Sequence, residues 1–340
     1  MKLAIHDSKM GFHPRWVAYC EENNISYKIV NCYISNIIQQ LQDCDALLWH
    51  HGQNNSKDII IAKQILFALE HTGFIVFPDF NTAWHFDDKV AQKYLLERIN
   101  APMVSSYAFV DKKESLKWVE TTSFPKVFKL RGGAGSANVK LARTRKQAIK
   151  LVNKAFGKGF RQYDKWQNLK DRIQKYKSGK TSFFDVMKGI ARLNIEPDFS
   201  KTIGSERGYV YFQDFIPNQD SDTRIIVIGN RAFALKRMVR DDDFRASGSG
   251  EFYYERELFD ERCIEISFSI NKKIKSQSLA VDFVFNENND PLVIEISYGF
   301  AAAGYDQCPG FWDNNLNWHQ GKFNPQAWMV EDLIKRVNND

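Results

Sequence analysis

Residues 279–285 read LAVDFVF, and residues 292–297 read LVIEIS. Both runs are rich in strand-forming apolar residues, and each contains one carboxylate, Asp282 in the first and Glu295 in the second. The turn between them predicts a β-hairpin that places the two carboxylates across from each other. A buried carboxylate is costly unless it is paired or bound to a metal. The hairpin therefore predicts either a Mg²⁺ site or, for Asp282, a salt bridge with Arg237 or Lys236.

Two arginines precede this hairpin in predicted strands. The strands cover residues 209–216, 224–228 and 231–240, and the last of them contains the run AFALKRM. Arg224 begins the second strand, and Arg237 lies inside the third. An arginine within a strand needs an anionic partner. The sequence leaves open whether that partner is a phosphate, an acyl phosphate or the carboxylates of the hairpin.

A lysine beside a glycine-rich loop lies further upstream. Lys129 falls in the strand predicted at 124–130, and RGGAGS follows at 131–136 before a strand at 138–142. The ammonium would neutralise phosphate charge, and glycine N–H groups approach a ligand closely because no Cβ intervenes. An ordinary β-hairpin with a surface lysine fits the same residues. No helix follows the glycines directly, so this is not a dinucleotide-binding fingerprint.

The first eighty residues alternate strand and helix, which predicts a small doubly wound parallel sheet and an α/β chain. Its ligands would lie beyond the carboxyl ends of the strands, near residues 7–8 and 50–53. His50 and His51 are adjacent in the sequence, so they point to opposite sides and are poorly placed to share a metal. One of them could face a substrate, but a plain polar loop is the simpler interpretation.

Composition and charge narrow the class of protein. At 340 residues, we expect about two domains. The formal net charge is +6, and residues 157–208, with twelve basic and six acidic side chains, account for all of it. A protein that binds nucleic acid over its whole surface is therefore not indicated. The five cysteines form no C-x-x-C pair, which favours a location in the reducing cytoplasm. No apolar run is long enough for a transmembrane segment.

The order of these motifs resembles the ATP-grasp superfamily of carboxylate–amine ligases. The glutathione-synthetase-like and ribosomal-protein glutamate-ligase-like members are the most similar. The resemblance covers about residues 82–297 and the preceding sheet. It rests on a series of short motifs in one order: Asp88-Lys89, the strand lysine with its glycine loop, Gln213-Asp214-Phe215-Ile216, Asp222-x-Arg224, Lys236-Arg237, the loop 243–250, Asp282, and Glu295-x-Ser297.

The resemblance implies an organisation into domains. Residues 1–80 would form an N-terminal Rossmann-like (pre-ATP-grasp) domain, and residues 81–340 the ATP-grasp region. Within that region a mobile lid would cover about 122–212 and carry the basic helical insert 157–208, and the catalytic core would cover about 213–340.

The resemblance also implies roles for individual residues. Lys89 and Lys129 would contact phosphates, and Gly132, Gly133, Gly135 and Ser136 would form the flexible loop over them. Asp214 and Phe215 would be the hinge beside the adenine, and Asp222 would contact the ribose. Arg224 and Arg237 would line the acyl and phosphate side, Arg245 and Ser247 would belong to a second loop, and Asp282, Glu295 and Ser297 would bind Mg²⁺. The family usually has asparagine at the position of Ser297. A serine reaches less far, which puts a second metal ion in doubt.

The implied activity is an ATP- and Mg²⁺-dependent ligation of a carboxylate to an amine through an acyl phosphate, with ADP as the product. A phosphotransferase acting on a hydroxyl, or a nucleotide-binding scaffold without activity, remains open. The substrate would be an amino acid, a peptide or a saccharide-linked carboxylate. A homo-oligomer is compatible with the sequence.

Two segments have no role in this account. The insert 157–208 could recruit an anionic acceptor or make peripheral contact with a membrane, or it could be a solvated helical face. Residues 298–320 are expected to be a long loop that closes over the acceptor or is held by its own aromatic side chains. Cys308 has no identifiable base beside it, so a nucleophilic role is not favoured.

Overall fold

The computed structural model describes residues 1–132, 139–163, 165–177, 179, 181–191, 193, 197–239 and 251–339. The strands and helices below are given in chain order. The strands are β1 (Leu3–His6), β2 (Tyr27–Val30), β3 (Ala46–Leu48), β4 (Ile75–Phe77), β5 (Ser106–Phe109), β6 (Lys126–Lys129), β7 (Lys140–Ala142), β8 (Phe160–Arg161), β9 (Ser205–Glu206), β10 (Val210–Asp214), β11 (Ser221–Ile228), β12 (Arg231–Met238), β13 (Phe252–Tyr253), β14 (Ser278–Phe285), β15 (Pro291–Ser297), β16 (Gly310–Asp313) and β17 (Trp318–Gln320).

The helices connect and cover these strands. They are α1 (His13–Glu22), α2 (Ile37–Gln40), α3 (Ser56–His71), α4 (Phe80–Ala83), α5 (Lys89–Arg98), α6 (Lys112–Thr121), α7 (Arg145–Ala155), α8 (Lys165–Lys177), α9 (Phe183–Ala191), α10 (Asp198–Ile203), α11 (Glu261–Ile274) and α12 (Pro325–Asn339). Among the described residues, none of the helices is both long and apolar enough to span a lipid bilayer.

The N-terminal sheet is parallel, as the alternation of strands and helices predicted. Its order is β2-β1-β3-β4. Successive residues of β1 face opposite cores, because side chains alternate along a strand. Leu3 and Ile5 pack with Trp16 of α1, whereas Ala4 packs with Leu66 of α3. Helices thus cover both faces of the sheet.

From the sequence, residues 82–100 are predicted to form one helix with Asn81 or Thr82 as its N-cap, but the structure has two helices here and neither of these residues is a cap. Asp79 caps α4 by accepting the N–H of Thr82, and Asp88 caps α5 by accepting the N–H groups of Val90 and Ala91. An aspartate at this position satisfies donors that have no partner within the helix. The second cap places Lys89 in the first turn of α5.

A second sheet, of order β5-β10-β6-β7, is antiparallel throughout. Helices α6 and α7 cover one face of it through a separate apolar core that contains Val119, Phe128, Val152 and Phe212. The hairpin predicted around the glycine loop is present, because β6 pairs directly with β7.

The basic insert is helical, as predicted, and its ends are held together. Strand β8 pairs antiparallel with β9, so the chain leaves and returns at the same place. Helices α8, α9 and α10 lie between these two strands. Gly179 has a positive φ of 70° and lies between α8 and α9, where the sequence predicted a break.

The third sheet has the order β15-β14-β11-β12-β16-β17, and β13 also pairs with β12. Helix α11 covers one face and α12 the other. The core under α12 is continuous with that of the N-terminal sheet, since Leu3, Phe233 and Leu333 belong to one cluster.

The prediction of a loop over residues 298–320 is wrong in part. β16 pairs with β12 and β17 with β16, so this segment extends the third sheet. The residues of β12 that pair with β16 are about eighty positions away in the sequence, which no local pattern reveals. In the remainder, Phe300 and Tyr305 pack on each other, but Tyr298 packs on rings of the N-terminal region, so the segment is only partly held by its own aromatic side chains.

Candidate active site

Asp282 and Glu295 lie directly across from each other in the β14–β15 hairpin. Phe283 pairs with Val293, but Asp282 pairs with Glu295, so Ile294 is an extra residue in β15. Such a β-bulge changes which side chains share a face. Without it, Asp282 would lie across from Ile294, and Glu295 would point to the opposite face.

The two arginines predicted for the site pair with its aspartates across adjacent strands. Arg224 holds Asp282 through two hydrogen bonds, one of them from Nη2 to Oδ2 at 2.6 Å. Arg237 donates to Asp222 from Nε to Oδ1 at 2.6 Å and from Nη2 to Oδ2 at 2.7 Å. Its Nη2 also donates to Asp282 Oδ2 at 2.9 Å. The salt-bridge interpretation of Asp282 is therefore correct for Arg237, and Arg224 is a further partner. Lys236 does not take part, since it lies across from Thr223.

This ion-pair network is almost fully buried. Asp222, Arg237 and Asp282 are each less than a tenth exposed. Burial by itself would raise the pKa of Asp282, but the Arg224 and Arg237 guanidinium groups hold that pKa well below its ordinary value. Asp282 is therefore ionised at neutral pH, and its charge is already shared between two cations.

Two buried lysines lie opposite this network. Lys89 Nζ lies 3.2 Å from Glu295 Oε1, and Lys129 Nζ donates to Gln213 Oε1 at 2.6 Å. Burial opposes the charge of Lys89, but the carboxylates of Glu295 and Asp87 outweigh it and raise the pKa above its ordinary value. Burial, only partly offset by Glu295, lowers the pKa of Lys129 to about 8. The two lysines therefore differ in how firmly they hold a proton.

A cavity of about 280 Å³ between the second and third sheets brings these side chains together. Its wall contains all but one of the predicted site residues that the structure describes: Lys89, Lys129, Asp214, Phe215, Asp222, Arg224, Arg237, Asp282, Glu295 and Ser297. Apolar side chains that the sequence analysis did not single out complete it: Phe86, Val127, Val139, Ile216, Val239, Val284, Ile294 and Ile296. One wall is thus charged, and the rest can accept a flat apolar group.

Gly132 is the exception, because it lines a second cavity of about 240 Å³ instead. The two cavities adjoin, since both are lined by Gln53, Phe86 and Asp87. A Cβ on Gly132 would lie 2.5 Å from the side-chain nitrogen of Gln162, so a larger residue does not fit without displacement. Gly133, Gly135, Ser136, Arg245 and Ser247 lie outside the described residues.

Two polar residues support the site although the sequence analysis gave neither of them a role. Gln213 is buried and donates to Ser106 Oγ at 3.1 Å, which turns its amide oxygen towards Lys129. Lys126 is also buried and forms an ion pair with Asp214 at 2.5 Å. The spacing of the two lysines in KVFK could have indicated this, because residues 126 and 129 of a strand face opposite sides.

The histidines at the end of β3 are not part of a polar loop. His50 accepts the N–H of Phe12 at 3.0 Å and stacks on its ring, and its neighbours Gly11 and Gly299 leave no room for a side chain. His51 is buried and lines the second cavity. Burial lowers the pKa of both histidines, so both are neutral at physiological pH.

The cysteines offer no alternative chemistry. All five are free and buried. Burial, with a further contribution from Asp306, raises the pKa of Cys308 to about 12, so this thiol does not ionise under ordinary conditions.

The carboxylates of Asp282 and Glu295 could bind Mg²⁺ only if other oxygen donors, from a ligand or water, completed the coordination of the ion. Asp282 and Glu295 are the hard oxygen donors that this ion prefers, and one third of the Glu295 side chain is exposed to the cavity. Ser297 donates to the carbonyl of Gly299 at 3.0 Å, so its hydroxyl is already engaged. Among the described residues, no group of three or more His, Cys, Asp or Glu side chains could hold a metal ion.

Comparisons with known proteins agree with this architecture. Residues 195–307 match the family model of the RimK-like ATP-grasp domain. The chain is similar to D-alanine–D-alanine ligase from Bacillus anthracis complexed with ATP, with 11% identity, a TM-score of 0.57, and coverage of 100% of this chain and 98% of that chain.

Two further solved structures are similar over nearly the whole chain. The RimK domain ATP-grasp protein from Sphaerobacter thermophilus DSM 20745 has 14% identity and a TM-score of 0.56, covering 98% of this chain and 100% of that chain. The ATP-grasp ligase PsnB, complexed with minimal precursor, Mg and ADP, has 10% identity and a TM-score of 0.56, covering 99% and 98%. No curated protein sequence matches the chain. The chain therefore has the ATP-grasp fold, as its order of motifs predicted, and its residues 195–307 match the model of the RimK-like ATP-grasp domain.

Proposed function

We propose that this protein is an ATP- and Mg²⁺-dependent ligase that joins a carboxylate to an amine through an acyl phosphate and releases ADP and phosphate. The observation that carries this proposal is the meeting of two strand carboxylates, two buried lysines and two arginines around one cavity. Such a set gathers anions that would otherwise repel each other, which is the main task in phosphoryl transfer.

The nucleotide would lie between the two sheets. Its adenine fits the apolar part of the cavity, beside the backbone of Asp214 and Phe215, and the ammonium groups of Lys89 and Lys129 would hold the phosphates. The proposed ribose contact is Asp222, although both of its oxygens already accept hydrogen bonds from Arg237. Loop residues complete the proposed set: Gly132, Gly133, Gly135, Ser136, Arg245 and Ser247.

Asp282 and Glu295 would hold Mg²⁺ together with phosphate oxygens of the nucleotide. The ion would neutralise phosphate charge when bound. Ser297 could join only by giving up its hydrogen bond to Gly299. We therefore propose one ion held firmly by the two carboxylates.

The chemistry needs no side-chain nucleophile. A carboxylate oxygen of the substrate attacks the γ-phosphorus of ATP, the bond to the bridging oxygen breaks, and ADP leaves. The amine then attacks the acyl carbon, loses a proton, and expels inorganic phosphate. Arg224 and Arg237, which line the cavity, would stabilise the charge on the transferred group, and closure of the cavity would protect the acyl phosphate from water.

The second cavity is the proposed site of the acceptor substrate. It adjoins the first one and receives residues from the carboxyl end of the N-terminal sheet, including His51 and Gly52. Lys63 lies in its wall and donates to the carbonyls of Trp84 and Phe86 at 3.0 and 3.1 Å. These contacts fix the ammonium where a substrate carboxylate could meet it.

The decisive experiment measures ADP release against a library of carboxylates crossed with amines, with mass spectrometry of the products. We expect ADP, phosphate and a new amide in the same reaction. ADP with a phosphorylated hydroxyl compound would instead identify a phosphotransferase. AMP with pyrophosphate would reject the acyl-phosphate route, and the Glu295→Gln variant serves as the inactive control.

A further inference from the structure

Helices α8 and α9 of the basic insert expose an unusual number of apolar side chains. Among the described residues, eighteen large hydrophobic side chains are exposed, and seven of them lie between residues 165 and 191. We call these seven the α8–α9 patch. They are Trp166, Ile173, Tyr176, Phe183, Phe184, Met187 and Ile190.

The patch is a continuous surface. Trp166, Ile173 and Tyr176 recur at the spacing of one helix face in α8, and the members in α9 do the same. The rings of Tyr176 and Phe183 lie 5.8 Å apart, which joins the two faces. Single exposed apolar residues are ordinary, but a contiguous group of them marks an interaction surface.

The charges around the patch indicate what it meets. Residues 165–191 contain seven basic and two acidic side chains. Lys188 lies 5.1 Å from the ring centre of Phe184, and Lys170 is exposed on α8. Lysines extend their charge beyond an apolar surface while their carbon chains cover it. A surface that combines exposed aromatic side chains with neighbouring lysines matches the boundary of an anionic lipid bilayer.

We propose that the α8–α9 patch binds the protein to the surface of an anionic membrane. Trp166 and Phe184, which are 68% and 69% exposed, enter the headgroup region, and the lysines contact lipid phosphates. The described residues of helices α8 and α9 contribute to neither cavity, so this contact leaves the proposed nucleotide cavity free. This proposal is independent of the proposed activity, because neither cavity is lined by a member of the patch.

Flotation of the full chain with lipid vesicles tests it. We expect the protein to float with vesicles of phosphatidylcholine and phosphatidylglycerol, and to float far less with phosphatidylcholine alone. The double variant Trp166→Ser/Phe184→Ser should lower the partition coefficient by about tenfold or more, and Lys170→Glu/Lys188→Glu by a similar factor. High salt should weaken the lysine contribution, because exposed charges are screened.

Matched controls exclude general effects of lost surface apolarity or charge. Ile60→Ser/Val110→Ser removes two equally exposed apolar side chains elsewhere, and Lys112→Glu/Lys113→Glu reverses two exposed lysines on α6. Both should float like wild type.

Two results would overturn the proposal. One is equal flotation of wild type and the patch variants. The other is a lipid-free dimer, seen by light scattering, that the Trp166→Ser/Phe184→Ser variant converts to a monomer, since the patch would then be covered by a second copy of the chain.

Discussion

Glu295 faces Asp282 across the β14–β15 hairpin because Ile294 is an extra residue in β15. This one insertion turns two carboxylates of adjacent strands towards the same cavity. They nevertheless have different surroundings: Asp282 is held by two arginines, whereas Glu295 is partly exposed and lies beside Lys89.

This difference predicts that the two carboxylates can be separated by their effect on stability. Asp282→Asn leaves Arg224 and Arg237 without their shared anion and should cost about 3–5 kcal/mol in the free energy of unfolding. Glu295→Gln keeps an oxygen for Lys89 at a partly exposed position, so we expect a cost of about 1 kcal/mol. Urea unfolding at neutral pH measures both, and Asp290→Asn in the hairpin turn is the control.

Both variants should nevertheless lose nearly all ATP-driven turnover. A folded Glu295→Gln protein with wild-type turnover would remove this residue from the proposed metal site. An Asp282→Asn protein as stable as wild type would contradict the buried network.

Lys129 predicts a pH dependence of ATP binding. Its pKa is lowered to about 8, so the ammonium is present at pH 7 and is lost as the pH rises through 8. ATP affinity should therefore fall between pH 7 and 9, and isothermal titration calorimetry would detect uptake of a proton on binding near pH 8. Lys129→Gln should weaken ATP binding and abolish this dependence.

Unfolding is not an alternative explanation of that loss. Because the pKa of Lys129 is lower in the folded than in the unfolded chain, the unfolded chain binds more protons above pH 8. The contribution of Lys129 to stability therefore rises with pH over the same range. A constant affinity from pH 7 to 9 in the wild type would show that Lys129 does not meet the phosphates.

Ser297 offers a test of the number of metal ions. Its hydroxyl bonds to the backbone of Gly299, so Ser297→Ala should cost about 1 kcal/mol of stability and change the Mg²⁺ dependence of turnover very little. A large rise in the Mg²⁺ concentration that supports half-maximal turnover would instead make the serine a ligand. Asparagine has a longer side chain than serine. If Ser297→Asn increased the affinity for Mg²⁺, the serine would be shown to be a weak metal ligand.

The close contact between Gly132 and Gln162 predicts that a loss of turnover caused by Gly132→Ala can be partly reversed by a second substitution at Gln162. In Gly132→Ala the new methyl group would push against the Gln162 amide, which itself donates to Glu206 at 2.6 Å. We expect turnover to fall by about tenfold through distortion of the second cavity. The double variant Gly132→Ala/Gln162→Ala should recover part of the loss, whereas Gln162→Ala alone should be mild. Equal losses in the single and double Gly132 variants would show that the clash is not the cause.

Much of the fold could be predicted because its signals are local. The alternating first eighty residues, the hairpin around the glycine loop and the strand carboxylates each depend on short stretches of sequence. The break before α5 was missed, although Asp88 is a favourable N-cap, because the apolar pattern continues across it. Strand β16 was missed because it pairs with β12, which is remote in the sequence, and β17 joins the sheet only through β16.

The sequence predicted which residues line the site but not which of them pair with each other. Asp282 and Arg224 were both named, yet their ion pair depends on the register between β11 and β14, which the sequence does not reveal. Gln213 and Lys126 were given no role, because their partners Lys129 and Asp214 lie on a neighbouring strand that is about 85 residues away in the sequence. The proposed roles of the site residues, like the proposed division into domains at residue 80, remain predictions.

The shared core beneath α12 limits how this molecule can open. The N-terminal sheet and the third sheet bury one set of side chains, which includes Trp16, Phe233 and Trp328, so separating them would expose a large apolar area. The second sheet has its own core and meets the nucleotide cavity mainly through β6 and β10. Entry of the nucleotide should therefore be a hinge movement of the second sheet alone, with the N-terminal and third sheets acting as a fixed base.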